Sequence, residues 1–213
     1  MTSVLVGGTG LTGSCLVRLL LADSAITKVI SVSRKPLHAS NAKLTEVLIS
    51  GLPELPVIAS EIRGELYFCC LGTTIQAAGS RENFEKVDRA AVVDFARVAK
   101  VHQARTFTLV SAMGANESSM LFYNRVKGRT EDDVKSLGLR SLIVFRPALL
   151  VGPRHEFRWA ESVASKTLVP ISRFLPDSIR KSLITPVETL AIRMLAEAKA
   201  APAGVRVIPA KEI

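Results

Sequence analysis

One tyrosine and one lysine stand at a spacing that suits proton transfer. Tyr123 and Lys127 are four residues apart in a segment of helical character, so both side chains would lie on one helix face. A phenol with an ordinary pKa of about 10 is a poor base at neutral pH, but a neighbouring positive charge favours the phenolate. Lys127 would supply that charge. The pair therefore predicts that Tyr123 exchanges a proton with a carbonyl or hydroxyl group.

A glycine-rich loop lies near the start of the chain, between a predicted strand and a predicted helix. Its glycines follow the spacing G-x-x-G-x-x-G. Such glycines allow a tight turn and a close approach of the backbone to a pyrophosphate, which then faces the helix N-terminus. We therefore expect a dinucleotide here, and the alternative is a turn that serves packing alone. The residues expected to hold it are Gly7, Thr9, Gly10, Leu11, Thr12 and Gly13.

Two cations follow the second predicted strand. Arg34 and Lys35 stand where NAD-preferring domains carry a carboxylate that binds the ribose 2′-hydroxyl. An arginine near this position accommodates the 2′-phosphate of NADP instead. The pair therefore predicts a preference for NADP over NAD, and the alternative is that both are ordinary surface cations.

Short β-branched runs alternate with segments of helical period. Predicted strands cover 3–7, 27–33, 44–49, 65–70, 106–111, 141–146 and 205–208, and predicted helices cover 11–22, 82–102 and about 121–137. Strands joined by crossover helices imply parallel pairing with helices on both faces. The sequence thus predicts the α/β class, as a doubly wound, Rossmann-type parallel sheet of six or seven strands. The helix that carries Tyr123 follows the fifth strand, whose carboxyl end borders the ligand crevice of such folds.

The C-terminal part is expected to cover the substrate. Residues 155–200 are predicted to be mostly helical, and about 152–190 would form a small substrate-covering part. Segment 152–158 follows the sixth strand at the carboxyl edge of the sheet, where ligands bind. The guanidinium of Arg154 suits a carboxylate or phosphate, which predicts a small-molecule substrate with an anionic group. The alternative is an ion pair between Arg154 and a neighbouring glutamate.

Composition excludes several classes of protein. The chain has 213 residues, 48% hydrophobic and 22% charged, which excludes intrinsic disorder and predicts one domain over 1–213. The net charge of +9 contains no run of five like charges, which makes a nucleic-acid-binding arm the lowest-ranked hypothesis. Cys15, Cys69 and Cys70 lack metal-binding spacing, so no metal site is expected. With neither a secretory signal nor an apolar stretch of membrane length, the sequence predicts a cytoplasmic protein without membrane contact.

Six segments resemble the short-chain dehydrogenase/reductase superfamily in its atypical and extended branches. They are GGTGLTG (7–13), CLGTT (70–74), FEKVDRAAVVDFARVAK (84–100), FTLVSAMGA (107–115), FYNRVKGRTE (122–131) and IVFRPALLVGPRHEFR (143–158). More narrowly, the last three resemble the subfamily that contains the Tat-interacting oxidoreductase. The resemblance implies cofactor contacts from Leu71, Gly72, Thr73, Lys127 and Pro147.

The resemblance also implies three catalytic residues. Tyr123 would donate or accept the proton, Lys127 would hold the nicotinamide ribose, and a serine at the end of strand five would orient the substrate oxygen. Family members usually carry Ser-Ser there with the second serine catalytic, whereas this chain has Ser111-Ala112. Ser111 or a nearby hydroxyl, of Ser118 or Ser119, would substitute, or the substrate clamp is absent. The helix asparagine of some members is also unmatched, since the comparable residue is Asp88.

Together these features predict an NADP-dependent oxidoreductase that acts on a carbonyl or alcohol of a small molecule. The same tyrosine and lysine would also serve an epimerisation with transient oxidation. The alternative from another class is a non-catalytic NADP(H)-binding regulator or redox sensor that interacts with another protein. The amphipathic helices are compatible with a homodimer.

Overall fold

The computed structural model describes residues 1–37, 39–152 and 183–213. In these ranges the strands are β1 (Thr2–Val6), β2 (Lys28–Ser33), β3 (Leu44–Leu48), β4 (Leu66–Cys69), β5 (Thr106–Val110), β6 (Ser141–Arg146), β7 (Leu149–Val151), β8 (Ile184–Pro186) and β9 (Gly204–Pro209). The α-helices are α1 (Leu11–Ala22), α2 (Ile75–Ala78), α3 (Arg81–Glu85), α4 (Ala91–Val101), α5 (Phe122–Ser136) and α6 (Val187–Ala200). A π-helical turn (Lys86–Ala90) joins α3 to α4, and 3-10 turns cover Leu52–Glu54, Ala59–Glu61 and Ala210–Glu212.

Within the described ranges, the main sheet has seven parallel strands in the order β3-β2-β1-β4-β5-β6-β9. The chain leaves β1 toward β2 on one side and returns to β4 on the other, so the strand order reverses between β1 and β4. Open sheets of this kind bind ligands at such a switch point, beyond the carboxyl ends of the strands. The predicted Rossmann-type fold with six or seven parallel strands is confirmed.

Both faces of this sheet are covered by helices. Successive side chains of a strand point to opposite faces. In β1, Val4 and Val6 share one buried apolar cluster with Phe95 of α4, whereas Leu5 shares the other with Leu16 of α1. Helices α4 and α5 therefore lie on one face and α1 and α6 on the other, which explains why the strands are continuous apolar runs.

The predicted helix over 82–102 is interrupted by the π-helical turn Lys86–Ala90. The π-turn places one extra residue between α3 and α4, where sequence periodicity predicts an uninterrupted α-helix. Asp88 lies in this turn and is fully buried, and its main-chain carbonyl accepts a hydrogen bond from Thr130 Oγ1 at 2.9 Å. The turn therefore carries a charged side chain into the interior and ties the helix to α5.

The described residues of the C-terminal part differ from the sequence prediction in one element, the strand β8. Residues 155–200 were expected to be mostly helical, and α6 agrees with this, but β8 pairs in parallel with β7 in a separate two-stranded sheet. A proline disfavours helical geometry at the residue before it, and Thr185 precedes Pro186. Residues 153–182 lie outside the described residues, and with them most of the expected substrate-covering part at about 152–190.

Helix α5 lies unusually close to the loop that follows β5. A Cβ at Gly128 would overlap the backbone of Asn116 and Glu117, so only glycine fits there without movement. Asn116 N also donates to Asn124 O at 3.0 Å. This close approach fixes the position of α5, and thereby of Tyr123, against the end of β5.

Replacing Gly128 by alanine should therefore destabilise the fold. Overpacking of this kind costs about 1–3 kcal/mol, which corresponds to a Tm lower by about 2–12 °C in a protein of this size. Thermal unfolding followed by circular dichroism measures the change. Gly51→Ala is the matched control, because a Cβ there meets only Pro53 Cδ at an ordinary 3.4 Å. Equal melting temperatures for the two variants would show that α5 can move away at no cost.

Candidate active site at the carboxyl edge of the sheet

The glycine-rich loop packs directly on the end of β4. Gly7 has φ +81°, and a Cβ at this residue would come within 2.5 Å of Cys70 O. A Cβ at Gly13 would overlap Gly7 O, so α1 begins in contact with the turn that precedes it. Gly10 N donates to Gly7 O at 3.0 Å and closes the turn. The spacing of the three glycines thus follows from backbone contacts at the switch point between β1 and β4.

The N-terminus of α1 opens from this loop. Gly10 is the N-cap residue and provides no side-chain cap, so the first amides of α1 remain available to an anion. Thr9 is exposed, Leu11 is half-buried, and Thr12 is buried. A backbone cradle that excludes side chains, followed by uncapped helix amides, fits the pyrophosphate of a dinucleotide.

Arg34 and Lys35 lie at the same edge, directly after β2. Both side chains are exposed, and the turn is held by Ser33 Oγ, which donates to Lys35 O at 2.6 Å. A Cβ at Gly8 would come within 2.8 Å of Ser31 Oγ, so the glycine loop and the end of β2 are close together. Arg34 forms no ion pair with another described residue. Both exposed cations therefore follow β2 beside the glycine loop.

Tyr123 and Lys127 share one face of α5, as the spacing predicts. Lys127 Nζ lies 6.0 Å from the centroid of the Tyr123 ring, which packs against Phe84 of α3 with centroids 5.6 Å apart. Tyr123 is 36% exposed, whereas the Lys127 side chain is only 5% exposed. The phenol can thus reach both solvent and a ligand, while the ammonium group is fixed beneath it.

Asp88 is the partner of this buried lysine. Asp88 Oδ1 lies 2.7 Å from Lys127 Nζ, and Oδ2 accepts a hydrogen bond from Thr73 N at 2.8 Å. The Gly72 backbone lies over the ion pair, since a Cβ there would be 3.7 Å from Asp88 Oδ1 and 3.8 Å from Lys127 Nζ. The structure therefore brings the loop after β4, the π-turn and α5 together around one pair of charges.

The sequence interpretation did not assign Asp88 this role, although it contains a signal for it. Asp88 stands four residues after Phe84 and three before Ala91, on the apolar stripe of its helix. A carboxylate on a buried stripe requires a partner, because an unpaired buried charge is costly. Helical spacing alone does not identify that partner, which lies on another helix.

The ion pair affects the ionisation of its neighbours. Burial alone would lower the pKa of Lys127, but the Asp88 carboxylate, Tyr123 and Cys69 together outweigh burial, so this pKa lies above its usual value. Burial raises the pKa of Cys69 to about 12, although Lys127 acts in the opposite direction. Burial also raises the pKa of Cys70 well above its usual value. Lys127 is therefore charged and both thiols are protonated at neutral pH.

Ser111 lies in a second polar network beneath the site. Its Oγ donates to Glu131 Oε1 at 2.6 Å, and both residues are buried. Arg146 holds the same carboxylate through two bonds, Nε to Oε1 at 2.9 Å and Nη2 to Oε2 at 2.7 Å. Glu131 is one helical turn beyond Lys127, so the two networks follow one face of α5. Ala112, at the usual position of the family serine, is also buried.

The remaining predicted residues lie at the same edge. Leu71 follows Cys70 at the end of β4, and Pro147 follows β6, where its carbonyl accepts a hydrogen bond from Met113 N at 2.8 Å. The structure thus places every predicted site residue of the described ranges along the carboxyl edge of the sheet. Arg154 lies outside the described residues. The described part of the chain holds no group of three His, Cys, Asp or Glu side chains that could bind a metal.

Solved structures share this fold over almost the whole chain. WbmH from Bordetella bronchiseptica, in complex with NAD+, has a TM-score of 0.70 at 15% identity, covering 97% of this chain and 74% of that protein. A short chain dehydrogenase family protein from Francisella tularensis has a TM-score of 0.68 at 13% identity, covering 98% and 97%. UDP-N-acetylglucosamine 4-epimerase from Methanobrevibacter ruminantium has a TM-score of 0.71 at 17% identity, covering 98% and 76%. At such low identity these likenesses show the fold alone.

Curated fungal proteins are similar in sequence. "Protein FMP52-2, mitochondrial" of Scheffersomyces stipitis is 34% identical over 184 residues, which is 85% of this chain and 79% of that protein. "Protein FMP52, mitochondrial" of Debaryomyces hansenii is 37% identical over 158 residues, covering 73% and 70%. The protein of that name from Candida albicans is 30% identical over 193 residues, covering 88% and 82%.

These relatives correct the expected location. The sequence predicted a cytoplasmic protein, and this prediction is wrong, because the relatives are named mitochondrial. Cysteine content and hydropathy indicate the redox environment and whether a segment could enter a membrane. Delivery to an organelle depends instead on a targeting signal that a receptor recognises. In the described ranges, no helix has the length and apolar character needed to cross a membrane.

Family membership rests on these sequence relatives and on the shared fold. No family model matches the chain. The narrower resemblance to the subfamily that contains the Tat-interacting oxidoreductase stays a prediction. Identity of 30–37% over 70–82% of each of the three relatives is sufficient to show the family. The chain belongs to the Fmp52 family and has the Rossmann-type fold of the short-chain dehydrogenases and epimerases.

Proposed function

We propose that this protein is an NADP-dependent oxidoreductase that acts on a carbonyl or alcohol group of a small molecule. The observation that carries the proposal is the placement of Tyr123 above the buried Lys127, beside Gly72 and at the same sheet edge as the glycine loop. Structural neighbours described with NAD, or as dehydrogenases and epimerases, support this class of reaction. The names of the sequence relatives support a mitochondrial location.

The dinucleotide would be held by the loop and by two cations. The amides at the start of α1 would bind its pyrophosphate, Arg34 would bind the 2′-phosphate, and Lys127 would contact the nicotinamide ribose. When bound, the nicotinamide supplies or accepts the hydride. NAD is the alternative cofactor, since the neighbouring structures are described with NAD.

Tyr123 would transfer the proton. In reduction its hydroxyl donates to the carbonyl oxygen, and the phenolate that results is stabilised by Lys127 beneath it. In oxidation the same group accepts the proton of the alcohol. Because Tyr123 is 36% exposed, water can restore the proton balance after each turnover.

Ser111 would orient the substrate oxygen. A hydroxyl has one proton to donate and two lone pairs that accept, and Ser111 gives its proton to Glu131. Its oxygen can therefore accept a hydrogen bond from an alcohol while the bond to Glu131 remains. To donate to a carbonyl, Ser111 would first have to release Glu131.

A regulator or redox sensor is the second candidate function. The observation that favours it is that the Ser111 proton is held by Glu131 while Ala112 occupies the usual position of the family serine. Such a protein would bind NADP(H) through the same glycine loop without turnover. Tight NADPH binding without turnover on a broad panel of aldehydes and ketones would support it.

Tyr123→Phe tests the proposed chemistry. The change removes only the phenol oxygen, so turnover should fall by about 10²–10⁴-fold, the usual contribution of a positioned acid or base, while NADPH affinity stays nearly constant. Steady-state kinetics on a substrate found in an aldehyde and ketone panel, together with cofactor titration, measures both. Tyr67→Phe is the matched control, because it removes the same atom from the other tyrosine, which is buried away from this edge. Full activity in Tyr123→Phe would refute the mechanism.

Lys127 is a less suitable target for that test. Lys127→Met would leave the Asp88 carboxylate buried without its counterion, and breaking a buried pair costs about 3–5 kcal/mol. Lost activity in that variant would therefore combine unfolding with lost chemistry.

Arg34→Glu tests the cofactor preference. A charge-assisted hydrogen bond contributes about 1.5–3 kcal/mol, so wild-type protein should bind NADPH about ten- to a hundredfold more tightly than NADH. The variant should lose or reverse this ratio, measured as two dissociation constants by calorimetry. Arg140→Glu makes the same charge change at the opposite edge of the sheet, just before β6, and should preserve the ratio. Equal affinities in the wild type would exclude a 2′-phosphate site at Arg34.

Ser111→Ala should affect the two reaction directions unequally. Because the Ser111 oxygen can accept from an alcohol without releasing Glu131, kcat/KM for alcohol oxidation should fall about tenfold, the effect of one hydrogen bond. Carbonyl reduction should change less. Ser60→Ala alters an exposed hydroxyl in the 3-10 turn between β3 and β4 and serves as the control. A larger loss in reduction than in oxidation would show that Ser111 donates to the substrate.

A further inference from the structure

We propose that the loop after β5, residues 111–121, forms an apolar subsite that binds an aliphatic chain of the substrate. The chain would be attached to the carbonyl or alcohol group that reacts at Tyr123, and Met113 and Leu121 would determine specificity for it. The assignment of this chain to a substrate rests on the proposed function, whereas binding of an aliphatic chain can be measured without turnover.

Large apolar side chains are exposed close together in this loop. Met113 is 50% exposed, Met120 is 96% exposed and Leu121 is 65% exposed. The half-exposed Tyr123 follows two residues after Leu121. Single exposed apolar residues are ordinary on a protein surface, whereas a group of them next to one another marks a binding surface. The group therefore indicates that an apolar ligand binds beside the phenol.

Hydrogen bonds hold the loop at several points. Met113 N donates to Pro147 O at 2.8 Å, beyond the end of β6, and Ser119 N donates to Asn116 O at 3.0 Å. From α5, Arg125 Nη1 donates to Ser119 O at 2.8 Å. The loop cannot turn its apolar side chains inward without losing some of these bonds. It therefore presents a preformed surface, which reduces the conformational entropy that a ligand must overcome on binding.

The two ends of the loop lie beside groups of the proposed site. Met113 is bonded to Pro147, which is expected to contact the cofactor, whereas Leu121 is the N-cap residue of α5. A substrate whose oxygen is bound by Tyr123 would therefore extend its chain along this loop. Methionine suits such a role, because its unbranched and polarizable side chain adapts to apolar groups of different shape.

Several charged side chains near the loop are already engaged within the protein. Asp88 pairs with Lys127 at 2.7 Å, and Glu131 pairs with Arg146 at the same distance. Arg125 is bonded to a carbonyl of the loop. A polyhydroxy substrate would have to compete for these groups, because polar groups left unpaired on binding reduce affinity. An aliphatic chain needs only apolar surface, which the loop exposes.

Binding of straight-chain amides tests the subsite, because nicotinamide cofactors do not reduce an amide. Calorimetric titration of the full chain with butanamide, hexanamide and octanamide, in the presence of NADPH, gives their dissociation constants. If the subsite buries the added methylenes, Kd should fall about two- to fourfold for each of them. Met113→Gln and Leu121→Gln replace an apolar side chain by a polar one of similar length. Each should weaken the dependence on chain length, and the double variant should nearly abolish it.

Val101→Thr is the matched control for these variants. It makes an apolar-to-polar change at a residue that is 74% exposed, at the end of α4 and far from this loop in the sheet order of edges, just before β5 begins. The control should keep the dependence of Kd on chain length. Equal affinities for the three amides in the wild type would overturn the proposal, and so would an unchanged dependence in the folded double variant.

Turnover of the matching aldehydes separates the subsite from the proposed reaction. The aldehyde carbon takes a hydride from NADPH and its oxygen takes the proton of Tyr123, which gives the alcohol. From butanal to octanal, kcat/KM should rise by a similar factor per methylene, and this rise should be lost in the double variant. Chain-dependent binding of amides without aldehyde turnover would support the subsite and refute the proposed function. Turnover with equal kcat/KM for all chain lengths would support the function and overturn the subsite.

Discussion

The buried ion pair between Lys127 and Asp88 is the constraint on which the site depends. Removing two charges from water is expensive, and only close pairing with further hydrogen bonds makes such burial tolerable. The second carboxylate oxygen of Asp88 accordingly binds the backbone of Thr73. Three separate pieces of chain must therefore keep their positions together: the loop after β4, the π-turn and α5. Any movement of one would leave a buried charge without its partner.

Helix α5 extends the row of buried polar contacts along the edge of the sheet. Tyr123, Lys127 and Glu131 follow one another at intervals of four residues, so they form a line on the buried face. The line runs from the half-exposed phenol to a fully buried carboxylate. Gly128 lets the same helix approach the loop after β5, so the polar line reaches the ends of β5 and β6. One helix thus connects Tyr123, the proposed proton-transfer group, with the network that holds Ser111.

Much of this arrangement follows from sequence because it depends on local spacing. The glycine spacing from Gly7 to Gly13 matches backbone contacts made within one turn, and the apolar runs match strands buried on both faces. Sequence periodicity does not predict contacts between segments that are distant in the chain. Asp88 could be recognised as unusual on an apolar stripe, but its pairing with Lys127 depends on how two helices pack. The same holds for Glu131 and Arg146, and for β7 and β8, which are too short to carry a pattern.

The hydroxyl groups of Ser111 and Tyr123 differ in whether they have a proton to donate. Ser111 has a single proton and gives it to Glu131, so its oxygen is left to accept. In the proposed mechanism Tyr123 donates its proton when a carbonyl is reduced. A carbonyl oxygen can only accept, so it would be bound by Tyr123, whereas an alcohol can donate to Ser111. The Glu131 carboxylate, which does not need to touch the substrate, would thus leave Ser111 to accept rather than donate.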